Sequence, residues 1–204
     1  MALISVRTVP VGDIQANCYL VENTSTREAL IVDPGDEADR IIAAVGNLRP
    51  VACLATHGHF DHIGAVDGVC GHFGIPLYLH EADLPKLTDS RMNESRRFAR
   101  PMTVQTPGIP LVDGQRLNLA GIHITVIHTP GHSRGSCCYL LPDGQGIFTG
   151  DTLFDRGYGR TDFEDGNFLQ LKESLRRLLG LQPRMVAYPG HGGPTYAGRN
   201  EDRL

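Results

Sequence analysis

The segment Thr56-His57-Gly58-His59-Phe60-Asp61-His62 decides how the rest of this 204-residue chain is interpreted. Three imidazoles and a carboxylate lie within six residues, directly after the apolar run VACLA at residues 51–55. A regular strand or helix would point these side chains in different directions. We therefore expect a looped strand-to-helix junction, in which Gly58 provides backbone freedom and the following helix directs its positive dipole end toward the site.

Three further apolar, strand-like runs end in a turn that delivers a histidine or an aspartate. HITVIHTPG (residues 123–131) leads to His132, GIFTG (146–150) leads to Asp151, and RMVAYPG (184–190) leads to His191. In layered α/β folds, side chains just beyond the strand ends gather at one rim of the sheet. The sequence therefore predicts one shared site that all four turns supply.

The residue types at these turns predict a metal centre. Crowded imidazoles and carboxylates must be solvated, protonated or bound to a metal, and they suit borderline cations such as Zn²⁺. Seven candidate ligands exceed the three or four that one zinc ion takes, which indicates two metal ions. The candidates are His57, His59, Asp61, His62, His132, Asp151 and His191. Two metals about 3.5–4 Å apart can share a hydroxide near neutral pH, and a site charge of about +1 would favour anionic substrates.

Hydrophobic periodicity predicts short strands that alternate with a few helices. The expected strands cover residues 2–9, 18–22, 28–33, 51–56, 75–79, 122–128, 136–141, 146–149 and 185–188, and the expected helices cover 37–48, 63–73 and 168–179. Residues 81–109 are acidic first, then Arg-rich, then Pro-rich. They are expected to form a helix and a loop that lie over another part of the molecule.

Composition places the chain among ordinary globular proteins, because 41% of its residues are hydrophobic and 21% are charged. The length predicts a single domain over residues 1–204. A formal net charge of −4 disfavours nucleic acid as a partner. No apolar stretch approaches the roughly 20 residues of a membrane helix. Five cysteines without CxxC spacing indicate reduced thiols, so a cytoplasmic location without membrane partners is expected, and the oligomeric state stays open.

Four motifs together resemble the metallo-β-lactamase fold superfamily. They are THGHFDH (56–62), HTPGHS (128–133), GDTLFDRGYGRTDF (150–163) and YPGHG (188–192). Within the superfamily, the chain resembles the glyoxalase II branch of hydroxyacylglutathione hydrolases, in its short bacterial form. The resemblance implies an α/β fold, a four-layer αββα sandwich of two pseudo-equivalent halves, with the site at one edge between the sheets.

The same resemblance implies how the candidate ligands divide. It assigns His57, His59 and His132 to one metal, assigns Asp61, His62 and His191 to a second, and makes Asp151 the bridge. Asp33, in the turn VDPG (32–35), matches an acidic position near the metals and is expected either to orient a ligand or simply to form the turn.

The implied activity is hydrolysis of a small anionic acyl thioester, such as a hydroxyacylglutathione, by a hydroxide that bridges two divalent ions, with zinc first and iron or manganese as alternatives. Asp61 would orient the hydroxide or shuttle a proton. Arg160 is expected either to hold a substrate carboxylate or to pair with Asp162 or Glu164. Tyr158, on the same loop, is expected to contact the substrate or to pack. Four other histidines are taken as structural: His72, His80, His123 and His128.

Two other functions stay open at this point. Persulfide dioxygenases share the fold and much of the 150–163 motif, and would hold one iron with His57, His132 and Asp151. A non-catalytic metal-binding module is the third possibility. The implied hydrolysis requires no side-chain nucleophile, so none is expected.

Overall fold

Two mixed sheets of six strands each pack face to face at the centre of the molecule. The computed structural model describes residues 3–181 and 184–197. The first sheet, in the order β1-β2-β3-β4-β5-β6, contains β1 (Ile4–Val11), β2 (Ala16–Asn23), β3 (Glu28–Val32), β4 (Arg49–Ala55), β5 (Leu77–His80) and β6 (Gly108–Leu111). The second sheet, in the order β12-β11-β10-β9-β8-β7, contains β7 (Arg116–Leu119), β8 (Ile122–His128), β9 (Cys137–Leu140), β10 (Ile147–Gly150), β11 (Val186–Pro189) and β12 (Thr195–Tyr196).

Helices cover the outer faces of both sheets. They are α1 (Ala38–Val45), α2 (Phe60–Ile63), α3 (Val66–Phe73), α4 (Ser95–Phe98) and α5 (Phe168–Leu179), with 3₁₀ turns at Glu81–Leu87 and Pro142–Gly144. One apolar cluster joins α1 and α3 to the first sheet, a second fills the space between the sheets, and a third joins α5 to the second sheet. The predicted α/β fold, a four-layer αββα sandwich, is therefore confirmed.

The candidate site lies beyond the ends of four strands, as the sequence predicts. The strands β4, β8, β10 and β11 end at Ala55, His128, Gly150 and Pro189, and the turns after them carry the candidate ligands. The α5 helix also matches its predicted bounds. The Asn167 side chain begins it by accepting a hydrogen bond from the Gln170 amide at 3.0 Å, and Gly180 follows its last turn.

Some elements differ from the prediction. The single helix expected over residues 63–73 is divided into α2 and α3, because the Ala65 amide donates to Pro34 at 3.0 Å instead of continuing a helix. Residues 81–109 contain the first 3₁₀ turn, α4 and the start of β6. The strand β6 was missed because it contains Pro110, which a strand accepts at the edge of a sheet, where β6 lies. The short strands β7 and β12 were also missed.

The single domain expected over residues 1–204 includes positions at both ends that lie outside the described residues. All five cysteines are buried and free, as the sequence predicts. Across residues 3–181 and 184–197, no helix combines the length and the apolar character that crossing a membrane requires.

Candidate metal centre

Three buried histidines from two loops form the first group of candidate ligands. His57 and His59 follow β4, and His132 follows β8. Each offers one ring nitrogen, and these nitrogens lie within 4.8 Å of one another. His59 Nδ1 and His132 Nε2 are 3.0 Å apart. Nitrogens bound at ~2.1 Å to one tetrahedral zinc ion lie roughly 3.4 Å apart, so this spacing is compatible with three ligands around one cation.

Asp61, His62 and His191 form a second group, with ligand atoms again within 4.8 Å of one another. The Asp61 Oδ2 atom lies 3.2 Å from His191 Nε2 and 3.4 Å from His62 Nε2. The loop of residues 56–62 therefore contributes to both groups, and β11 brings His191 to the second from 130 residues further along the chain.

The carboxylate of Asp151 lies between the two groups. Its Oδ2 atom is 3.4 Å from His132 Nε2 and 3.7 Å from His191 Nε2, and its Oδ1 atom is 3.5 Å from His62 Nε2. One carboxylate can thus reach ions held by either group. All seven predicted ligands lie in one cluster, in which a third group of ligand atoms within 4.8 Å of one another joins His57 and His62 to Asp151. The assignment of each residue to one of two metals stays a prediction.

Unpaired buried atoms show that these residues suit a bound cation. Within the described residues, His57 Nε2, His62 Nε2 and Asp151 Oδ1 are buried and have no hydrogen-bond partner. A buried polar atom without a hydrogen-bond partner costs about 1–3 kcal/mol, so three of them in one place would destabilise the folded chain. Divalent ions would use these lone pairs, and a set of imidazoles and carboxylates suits zinc, iron or manganese.

Burial and neighbouring positive charge lower the pKa values of His57 and His59. Burial is the largest cause for both, followed by the charge of His62 for His57 and of His132 for His59. Both rings therefore stay neutral at lower pH than a free histidine does. A neutral imidazole is the form that binds a metal ion.

The second group balances a carboxylate against an imidazolium. Burial alone would raise the pKa of Asp61, but the charge of His62 and the hydrogen bond from His191 lower it overall. Burial alone would lower the pKa of His62, but Asp61, Asp33 and Asp151 raise it overall. The carboxylates that raise the pKa of His62 would also favour a metal cation, and binding of that cation would displace the proton from His62.

Asp33 contacts both ends of the loop of residues 56–62. The backbone amide and the hydroxyl of Thr56 donate to its carboxylate at 2.7 and 2.8 Å, and its Oδ2 atom lies 3.0 Å from His62 Nδ1. Its φ of 53° lies in the left-handed region, which is uncommon for a residue other than glycine. Asp33 therefore forms the turn and also contacts a candidate ligand.

Two buried residues near the centre were not singled out from the sequence. Asp83 accepts hydrogen bonds from the amides of Gly58 and Gly135, at 2.8 and 2.7 Å. Lys86 is 1% exposed, and its Nζ atom donates to Met92 O at 2.8 Å and lies 3.5 Å from His59 Nε2. Their only signal in the sequence was a three-residue spacing within an acidic stretch, which is typical of a solvated turn.

Gly58 serves the loop differently from the prediction. Its backbone does not adopt a positive φ, so the freedom expected of it is not used. A Cβ atom there would lie 2.7 Å from the Cβ of Lys86. The position therefore requires glycine because the buried lysine passes close to the loop.

The structure separates the two predicted substrate residues. Arg160 lines a cavity beside the centre, and its guanidinium donates two hydrogen bonds of 2.6 Å to Asp162. Its backbone oxygen lies 2.8 Å from His132 Nδ1, which fixes that ring. Tyr158 does not line the cavity and instead lies against Phe168, with ring centroids 5.9 Å apart. Tyr158 is 39% exposed, so the choice between a substrate contact and packing stays a prediction.

The remaining histidines lie outside both groups. His80 and His128 stack at 4.0 Å, and His72 and His123 are exposed. His128 also contacts Arg134 O at 2.9 Å through Nε2. The structural interpretation of these four histidines stays a prediction.

A cavity of about 530 Å³ opens onto the metal centre. His59, Asp61, His132, Asp151 and His191 form its floor. Its walls are largely apolar side chains, from Ile14, Phe60, Phe98, Phe154 and Phe163. A small substrate in this cavity would contact the candidate ligands directly.

Clusters of histidine and aspartate at one edge of an αββα sandwich are typical of a superfamily of metal-dependent enzymes, most of them hydrolases. Residues 11–191 match the metallo-β-lactamase superfamily, and the chain belongs to this family. Among curated relatives, the hydroxyacylglutathione hydrolase GloC of Haemophilus influenzae is 32% identical over 212 residues, which cover 97% of this chain and 95% of GloC.

Solved structures in the same family agree with this assignment. BLEG-1, a B3 metallo-β-lactamase, is 39% identical, with a TM-score of 0.92 over 98% of this chain and 97% of its own. TTHA1623, solved in a di-iron-bound form, is 36% identical, with a TM-score of 0.85 over 95% and 96%. ETHE1 from Myxococcus xanthus is 28% identical, with a TM-score of 0.78 over 98% and 82%.

Proposed function

We propose that this member of a metallo-hydrolase superfamily hydrolyses small acyl thioesters of the hydroxyacylglutathione type with two bound divalent ions. The observation that carries the proposal is Asp151, which lies between two complete groups of ligands. A single ion would leave Asp61, His62 and His191 without a role. The likeness to GloC supports the substrate class, and the di-iron form of TTHA1623 supports two ions.

Bound divalent ions would supply a deprotonated water and polarise the substrate carbonyl. The chain's own residues position these components. Asp61 lines the cavity and receives a hydrogen bond from His191, so its carboxylate can accept or orient the proton of an attacking water. The Arg160 backbone oxygen holds His132 in place. No side chain is required as a nucleophile.

Metal analysis together with a thioester panel tests the proposal. Protein purified from its own host should contain two metal ions per chain and release thiol from a hydroxyacyl thioester. The variants His132→Ala and Asp61→Ala should lose both metal and turnover, because each removes one ligand. Full hydrolysis by either purified variant would show that the ligand assignment is wrong.

A persulfide dioxygenase is the second candidate function, favoured by the likeness to ETHE1. It would use one iron with His57, His132 and Asp151. One iron per chain and oxygen uptake with a persulfide, without thioester hydrolysis, would support this function. Tight metal binding without turnover of either substrate class would leave a metal-binding module as the explanation.

A further inference from the structure

The cavity beside the metal centre has a wall of aromatic rings. The Phe163 ring centroid lies 4.7 Å from that of His59 and 5.3 Å from that of His132. Phe98 meets Phe163 edge to face at 6.1 Å. The apolar surface therefore begins at Phe163, which contacts the rings of His59 and His132, and continues outward along the cavity to Phe98.

Arg160 extends this wall, and its positive charge is paired with a neighbouring carboxylate. Its guanidinium lies over the rings of Phe163 and Phe98, at 4.8 and 5.5 Å from their centroids. Its Nε and Nη2 atoms both donate to the carboxylate of Asp162, and these hydrogen bonds lower the pKa of Asp162 to about 2. The pair therefore stays ionised and mutually neutralised over the ordinary pH range.

The other charged group on the walls is acidic. Glu94 lines the same cavity and is 7% exposed. A carboxylate on the acyl group of a substrate would meet this acid, with Arg160 already occupied. An aromatic or aliphatic acyl group would instead contact Phe98 and Phe163.

The segment that carries Phe98 is held in place rather than loose. The buried Asn93 side chain donates to Lys86 O at 3.0 Å and to Met102 O at 3.1 Å, and the Met102 amide donates to Ser95 Oγ at 3.0 Å. These bonds hold the start of α4 against Lys86 and Met102, and Phe98, at the end of the same short helix, is 47% exposed. A large exposed ring on a fixed segment beside a reactive centre is suited to contact a ligand.

We propose that this cavity selects thioesters whose acyl group carries an aromatic or bulky aliphatic substituent, with Phe98 and Phe163 as the residues that determine this preference. The inference rests on the proposed thioester hydrolysis and specifies its substrate class. Each additional apolar group in such a pocket changes specificity by roughly 10-fold or more. A thioester with a phenyl-bearing hydroxyacyl group should therefore have a higher kcat/KM than one with a methyl-bearing group.

Lactoyl and mandeloyl thioesters of the same thiol test this preference, because they differ only in methyl against phenyl. We expect kcat/KM to favour the mandeloyl thioester by at least about 10-fold. Phe98→Ala should reduce this ratio toward one. The matched control is Phe168→Ala, because Phe168 is 48% exposed and lies outside the cavity, and the ratio should be unchanged there.

Binding provides a second measurement that does not depend on turnover. The chain has no tryptophan, so Phe98→Trp introduces a single reporter at the cavity wall. Mandelate added to the metal-loaded protein should change its emission at concentrations at least about 10-fold lower than lactate does. Phe168→Trp, outside the cavity, should report no difference between the two acids.

The outcomes separate this inference from the proposed function. If both thioesters are hydrolysed but lactoyl is preferred, or the two are hydrolysed equally well, the inference is wrong and the thioesterase proposal stands. If neither thioester is hydrolysed while Phe98→Trp still prefers mandelate, the proposed function is wrong and the apolar selectivity stands. Equal binding of the two acids would overturn the selectivity.

Discussion

The Asp83 carboxylate accepts a hydrogen bond of 2.7 Å from the Ser133 hydroxyl, and the two residues are 50 positions apart in the chain. The same carboxylate accepts the Gly58 amide, which lies between His57 and His59. Asp83 thus ties the loop that carries two candidate ligands to the loop that carries His132. It fixes the relative position of the first group of ligands, although it belongs to none of the groups of candidate ligands found in the described residues.

The variant Asp83→Asn tests this tie. An amide cannot accept all three hydrogen bonds, so one buried donor would lose its partner, and we expect a loss of about 1–3 kcal/mol in the free energy of unfolding. The metal content should fall with it. Urea unfolding and elemental analysis measure both. Asp89→Asn, on the same segment but in a pair with exposed Arg91, should change stability by less than about 1 kcal/mol.

Most of the fold could be predicted because its apolar patterns are local. The sequence of helix α5 contains its apolar stripe, its N-terminal capping residue and the glycine that follows its last turn within 14 residues, at 167–180. The helix over 63–73 could not be predicted in two parts, since its break depends on Pro34, about 30 positions earlier. The edge strand β6 was hidden because proline normally argues against a strand.

The candidate ligands could be predicted because a metal requires particular residue types at turns. The residues that support them could not, since Asp83 and Lys86 are ordinary charged residues whose burial is set by elements distant in sequence. Arg160 shows the same limit. Its position on the motif was clear, but the sequence left open whether it pairs with Asp162, as it does in the structure.

Asp33 should contribute to metal affinity through His62. In Asp33→Asn the amide cannot supply the same negative charge to His62 Nδ1, so metal affinity should fall by about 10–100-fold, mainly for one of the two ions. Competition with a chelator measures each binding step. Thr56→Val removes a hydroxyl contact to Asp33 but leaves the carboxylate on His62, and should change affinity less. Equal losses in both variants would contradict this role.

Gly190 should be intolerant of any side chain. A Cβ atom there would lie 2.1 Å from Asp151 Oδ1 and 2.7 Å from His62 Cε1, so Gly190→Ala must displace a candidate ligand. We expect a loss of most bound metal. Gly193→Ala is the matched control, because no atom lies within 4 Å of a Cβ at that position. Elemental analysis of the two purified variants would reveal the difference, and full metal content in Gly190→Ala would refute it.

Asp67 should make stability depend on pH at a distance from the metal centre. Burial alone would raise its pKa, but hydrogen bonds from the Gln105 and Thr106 amides and the Thr106 hydroxyl lower it overall. A lowered pKa in the folded state means that the contribution is fully present above the unfolded pKa near 3.9 and is lost as pH falls through the folded value. Because the carboxylate is partly exposed, Asp67→Asn should cost about 1 kcal/mol at pH 7. Urea unfolding from pH 7 to pH 3 should show this difference shrinking below about pH 4, and a difference that grows toward acid pH would mean that the carboxylate is not stabilised in its charged form.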